Sequence, residues 1–234
     1  MSTIAALLFA GKFGKFLFSG GTMVLSVFAY ALVFGWPYAV GFVALLLVHE
    51  MGHYLAAKRR SLNVGLPTFI PFVGAWIQLK EQPMDAETEA FVGIAGPMLG
   101  SAAAFVCYIL ARESASHLLM ALAYAGFILN LFNLIPLSPL DGGRIVSVVS
   151  PRLWFWGVPI LAALFFWIPS PMLVLIAVLA LPQLWQAYQD RAIADSAYYR
   201  VAPAVRLEYA AQYLALAGFL AIMAYVAHEA MAPR

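Results

Sequence analysis

The sequence predicts an all-α polytopic membrane protein with about six to seven transmembrane helices and a small re-entrant β-hairpin or loop after the second of them. The 234 residues are 64% hydrophobic and 10% charged, with a mean hydropathy of +0.88, values typical of chains whose solvent is lipid. No Asp, Glu, Lys or Arg interrupts residues 16–49, 90–111, 114–140, 153–189 or 209–228. Each window reaches the ~20 residues of a helical span, and the first and fourth are long enough for two. Sidedness agrees: with the first span directed outward, only Arg112 and Arg234 of the 13 Lys and Arg fall on the outer side, as the positive-inside rule requires.

Residues 1–19 read as an amphipathic interfacial segment rather than a cleaved signal, because Lys12 and Lys15 interrupt the apolar run. The first firm span, 20–36, ends at Gly35-Trp36-Pro37, and a second helix follows over 38–60, closing on Lys58-Arg59-Arg60. That basic end places the N-terminus and the inner end of this helix in the cytoplasm. Residues 61–83 cannot continue as helix, since Pro67, Pro71 and Pro83 alternate with Gly65, Gly74 and short β-favouring runs. An apolar segment without a helix to satisfy its backbone must pack on protein, which predicts the re-entrant hairpin or loop. Its free edge could pair with the backbone of an extended peptide.

Asp85 reads as the N-cap of a third helix, whose span over 90–111 carries Gly93, Ala95, Gly96, Gly100 and Ala104 as a small-residue stripe for close helix packing. Pro97 predicts a kink or a late start there. A fourth span returns over 118–134. Pro136, Pro139 and the Gly142-Gly143 pair then predict irregular backbone that delivers Asp141 back to membrane depth. Residues 20–150 form the expected catalytic membrane core, and 151–234 the C-terminal transmembrane helices. The latter comprise a pair broken at Pro169-Ser170-Pro171, a polar stretch over 190–206 and a last span near 207–228.

Chemistry concentrates in His49-Glu50-Met51-Gly52-His53. Two histidines four apart on a helix differ by about 40° and about 6 Å of rise, so both imidazoles can share one metal. Glu50 sits beside the same face, where a carboxylate can hold and deprotonate a water on that metal. Burying a Glu and two His among apolar residues is costly unless they act together. Glu50 lies about 12 Å along the helix from Lys58, which places the site in the cytoplasmic half of the bilayer. Asp141, returned to the same depth, supplies the third ligand that a two-His zinc site lacks. His117 and His228 fall near the outer face and are poor alternatives. Asn130 and Asn133 lie about one turn apart; either could donate to a developing oxyanion or hydrogen-bond between helices. The functional reading is favoured for Asn133 and the structural one for Asn130.

These residues resemble the site-2 protease family of intramembrane zinc metalloproteases. The resemblance rests on the His49–His53 motif, on Gly96-Pro97, and on Asn133 through Pro136 and Pro139 to Asp141-Gly142-Gly143 within the 130–144 segment. It implies one zinc per chain on His49, His53 and Asp141, Glu50 as general base and Asn133 as a stabiliser of the tetrahedral intermediate. It also implies a substrate-presenting β-element at Gly74, Ala75, Trp76 and Ile77. The expected reaction is hydrolysis of peptide bonds in or near transmembrane segments of other membrane proteins, in the minimal core without a PDZ or CBS domain. The expected location is a multi-pass protein of the plasma (cytoplasmic) membrane, with the lipid bilayer and a transmembrane protein or peptide as partners.

Two other classes compete: a membrane metal-binding or transport protein, and a catalytically silent scaffold that binds membrane proteins. A net charge of +2 from dispersed basic residues offers nothing to nucleic acid. Cys107 stands alone, so neither an intrachain disulfide nor a cysteine zinc site can form.

Overall fold

The computed structural model describes residues 3–77, 83–189 and 196–232. Helix α1 (Thr3–Phe34) runs without a break through Gly20, so the first span continues directly from the N-terminal segment. It meets α2 (Trp36–Arg59) at Gly35, whose φ of 83° suits glycine, and Pro37 lies in the first turn of α2. Lys58 and Arg59 close α2 where cations complement the helix dipole.

The hairpin expected after this helix is present. Strand β1 (Thr68–Ile70) pairs antiparallel with β2 (Gly74–Trp76), Thr68 opposite Trp76 and Ile70 opposite Gly74. Residues 78–82, the remainder of the re-entrant region, lie outside the described residues. Two three-residue strands are unstable alone, and α1 supplies the support. Ser19 Oγ donates to the Pro67 carbonyl at 2.5 Å, the Phe69 N–H donates to Thr22 Oγ1 at 3.3 Å, and the Phe72 N–H donates to the Tyr30 hydroxyl at 3.2 Å. Phe69 is buried with Tyr30, Ala39, Val43 and Leu46. The outer edge of β1 is thereby covered by α1, and all of β2 together with Ile70 of β1 borders the cavity described below.

Asp85 caps α3 (Ala86–Ser114) by accepting the Thr88 N–H at 2.7 Å, a contact typically worth ~1 kcal/mol. Pro97 lies inside this helix rather than delaying its start. The small-residue stripe lets α2 and α3 touch: a Cβ on Gly52 would collide with the Ala95 carbonyl, and one on Gly96 with the ring of His53. Ser116 caps α4 (His117–Asn133), accepting the Leu119 N–H at 3.3 Å.

The chain then differs from the expectation at Asp141. Backbone irregularity ends before it, and Asp141 opens a nine-residue helix, α5 (Asp141–Val149). Gly142 and Gly143 form the first turn of that helix rather than a tight turn. They are needed there because a Cβ at Gly142 would meet the Leu134 and Ile135 carbonyls.

A 3-10 segment (Pro151–Trp156), α6 (Gly157–Trp167) and α7 (Pro171–Gln189) follow, the helical pair broken at Pro169-Ser170-Pro171 that the sequence predicts. After 190–195, which with Arg191 lie outside the described residues, a 3-10 turn (Ala197–Tyr199) leads into α8 (Pro203–Met231). Among the described residues, five helices are long and apolar enough to cross a membrane: Leu17–Phe34, Trp36–Arg59, Ala86–Ser114, Pro171–Gln189 and Pro203–Met231. Two shorter apolar stretches, His117–Asn133 and Pro151–Trp167, complete the expected polytopic, all-α architecture.

The main core joins α3, α4, α5 and α8 through Ala90, Ile94, Phe127, Ile145 and Leu220. Polar groups gather at one end of the bundle. Arg60 pairs with Glu87 at 3.5 Å, and the Tyr198 hydroxyl donates to Glu89 at 2.7 Å. Burial and the Glu89 carboxylate push the Tyr198 hydroxyl well above the ordinary tyrosine range, which keeps it a donor. Arg206 spans the carbonyls of Tyr199 (2.8 Å), Val149 (3.0 Å) and Val201 (3.2 Å), tying the end of α5 to the approach to α8.

Candidate metal centre

Helix α2 presents His49 and His53 toward α5, and the start of α5 presents Asp141 toward them. His49 Nε2 and His53 Nε2 lie 3.1 Å apart, and Asp141 Oδ2 is 3.1 Å from the first and 3.2 Å from the second. All three residues are buried. Gly96 makes the arrangement possible, because any side chain there would occupy the space of the His53 imidazole.

The outer face of each ring fixes its tautomer. His53 Nδ1 is 2.8 Å from the Val92 carbonyl, which can only accept, so Nδ1 carries the proton. His49 Nδ1 is 2.8 Å from Asn130 Oδ1, while Asn130 Nδ2 donates to the Gly126 carbonyl at 2.7 Å. That second bond orients the amide, so His49 Nδ1 is also the donor. With Nδ1 as the outer donor in both rings, each Nε2 is turned toward the Asp141 carboxylate, and the three candidate ligand atoms lie within 3.2 Å of one another. Neutral imidazoles in this tautomer and an ionised carboxylate offer one lone pair each to a cation placed among them. Tetrahedral zinc with ligand bonds of ~2.0–2.1 Å sets its ligand atoms about 3.3 Å apart, so the residues fit the metal in both spacing and donor type.

Asn130 stands behind His49. It does bond between helices, as expected, but its partner is a candidate ligand. An amide three residues before Asn133 on an apolar helix was the available signal. The Val92 carbonyl left no signal, being backbone. An imidazole held by an outer hydrogen bond in this way typically gains 10–100-fold in metal affinity. Asn130→Leu is expected to weaken zinc binding by about that factor, measured by competition with a chelating dye; unchanged affinity would assign Asn130 to packing alone.

The triad opens on a cavity of about 840 Å³, within the size range of ligand sites. Glu50 and Asn133 line it together with the triad, as do Gly74, Ala75, Trp76 and Ile77. Glu50 is buried and Asn133 half-buried. The remaining walls are apolar: Tyr38, Phe42 and Leu46 of α2, Tyr124, Ile128 and Phe132 of α4, and Met172, Leu175, Ile176 and Leu179 of α7. Arg144 is the cation at its margin, 4.0 Å from Glu89. Asn130 lies behind His49, whereas His49, Glu50, His53, Asn133, Asp141 and residues 74–77 border one space. His117 and His228 do not: they stand at the start of α4 and near the end of α8, with His228 against the ring of Tyr124.

The family model for peptidase family M50 matches residues 37–114 and 109–154, about half of the chain. Among curated proteins, the zinc metalloprotease MJ0392 of Methanocaldococcus jannaschii is 29% identical over 123 residues, 49% of this chain and 35% of that protein. The putative zinc metalloprotease Rip3 of Mycobacterium tuberculosis is 35% identical over 125 residues, 50% of this chain and 30% of that protein. The probable chloroplastic zinc metalloprotease EGY1 of Arabidopsis thaliana is 38% identical over 71 residues, 28% of this chain and 13% of that protein. The matches span about a third or less of the length of these relatives.

Proposed function

We propose a function from one premise, that the chain belongs to peptidase family M50: it is an intramembrane zinc metalloprotease that hydrolyses peptide bonds in or near the transmembrane segments of membrane proteins. The observation that carries the reading is the convergence of three candidate ligand atoms, from His49, His53 and Asp141, set inside an apolar bundle and open to a peptide-sized cavity.

His49 Nε2, His53 Nε2 and Asp141 Oδ2 would hold a zinc ion, which would supply Lewis acidity for a scissile carbonyl and lower the pKa of a water to ~7. Glu50 takes the proton of the attacking water and returns it to the leaving amine. Asn133 donates its amide N–H to the carbonyl oxygen as that oxygen gathers charge. The free edge of β2, Gly74 to Trp76 with Ile77, accepts an extended substrate strand by main-chain hydrogen bonds. The apolar walls exclude bulk water, which strengthens each of these polar contacts.

A transmembrane helix hides its carbonyls in intrahelical bonds, so the substrate must unwind before it can lie along β2. We assign the chain to a plasma membrane; by the distribution of Lys and Arg its N-terminus is inside and the site faces the cytoplasmic half. Reconstituted with two single-span substrates, the full chain should cut a span broken by Gly and Pro at least tenfold faster than an otherwise equal poly-Leu span. It should stop when zinc is chelated and restart when zinc is restored. Equal rates on both spans, or cutting that ignores the chelator, would refute the proposal.

A further inference from the structure

Residues 134–140, which deliver Asp141, are irregular backbone within an apolar bundle, where each amide group needs a partner. Three side chains from the C-terminal part of the chain supply partners around this stretch. Tyr213 of α8 donates to the Leu134 carbonyl at 2.5 Å, Trp154 Nε1 donates to the Gly143 carbonyl at 2.8 Å, and Gln183 of α7 accepts the Ser138 N–H at 2.8 Å. Gln183 and Tyr213 lie beyond the segment matched by the family model, which ends at residue 154.

Gln183 differs from the other two because its helix is also a wall of the cavity, through Met172, Leu175, Ile176 and Leu179. Leu173, Ile176 and Ala180 of α7 pack on Ile135, Leu137 and Leu140 of the same irregular stretch. The Ser138 peptide in turn lies against the first turn of α5: a Cβ on Gly143 would approach Ser138 N to 2.6 Å. A contiguous path therefore runs from α7 through the Ser138 amide to the turn that begins with Asp141.

We propose that Gln183 is a positioning residue that locks the Asp141 carboxylate onto the two imidazoles when α7 is seated against the cavity. The inference rests on the metal-site reading above. A displaced α7 withdraws the acceptor from the Ser138 N–H, frees the stretch 134–140 and loosens the third ligand. The cavity wall and the metal centre then act as one unit.

The test is the rate at which the chelating dye 4-(2-pyridylazo)resorcinol removes zinc from the detergent-purified full chain. Gln183→Leu keeps the bulk and removes the acceptor; it should release zinc about threefold to tenfold faster, the range of one ordinary hydrogen bond. Gln183→Glu, which retains an acceptor oxygen, and Leu184→Ala, which loosens neighbouring packing but keeps the bond, should both release zinc near the wild-type rate. If the Leu variant does not fold, Gln183→Ala takes its place. Release by Gln183→Leu at the wild-type rate, or by Gln183→Glu as fast as by Gln183→Leu, overturns the proposal. Wild type that holds no zinc overturns the metal reading and this inference together. Wild type that holds zinc but cuts nothing refutes only the protease reading, and the zinc-release comparison still decides the role of Gln183.

Discussion

Glu50→Gln should keep the full zinc content of the wild type and lose about 10³-fold in peptide hydrolysis. The substitution preserves the shape of a buried side chain, and Glu50 is not one of the three atoms that converge as ligands. What it removes is the only group among the cavity-lining residues, apart from the ligands themselves, with a basic carboxylate. General-base catalysis by a positioned side chain contributes 10²–10⁴-fold, and a 10³-fold loss corresponds to about 4 kcal/mol of transition-state stabilisation. Zinc is measured by atomic emission and cleavage by the appearance of shortened substrate. Retained zinc with cleavage within tenfold of wild type would remove Glu50 from the base role. The same variant offers a route to substrates, since peptides that enter the cavity and are not cut should co-purify with it from the native membrane.

The metal site was legible because its signal is local. A two-His motif on one helical face depends on the 3.6-residue period alone, and Asp141 was reached through a proline-marked return to the same depth. Asn130 was not legible in its full role, since its bond to His49 depends on how α4 is rotated against α2, and side-chain spacing along one helix does not set that. The cavity wall contributed by α7 was invisible for a related reason: Gln183 meets Ser138 across 45 residues of sequence. In α1 a signal was present and unread. Ser19, Thr22, Ser26 and Tyr30 recur every three or four residues in an otherwise apolar helix, and three of them hold the hairpin backbone. Read together, they would have placed β1 against α1 and turned β2 toward the site.

Asp141→Ala should lose zinc more completely than Asn130→Leu, and the contrast separates a ligand from the group that orients one. With Asp141 removed, the site keeps two imidazoles held by their outer hydrogen bonds but no anionic ligand. Zinc sites that do chemistry use three protein ligands and an open position, and the carboxylate here is also the sole anion among the ligands. Loss of an outer hydrogen bond leaves all three ligand atoms in place and lowers affinity by 10–100-fold; loss of the carboxylate should exceed that range. Asp141→Asn refines the comparison, because it keeps an oxygen of the same reach and deletes the charge. An affinity for Asp141→Asn between those of Asn130→Leu and Asp141→Ala would assign charge and coordination separate shares. Full zinc retention by Asp141→Ala would remove Asp141 from the ligand set, and the Gln183 contact would then position a loop without bearing on the metal.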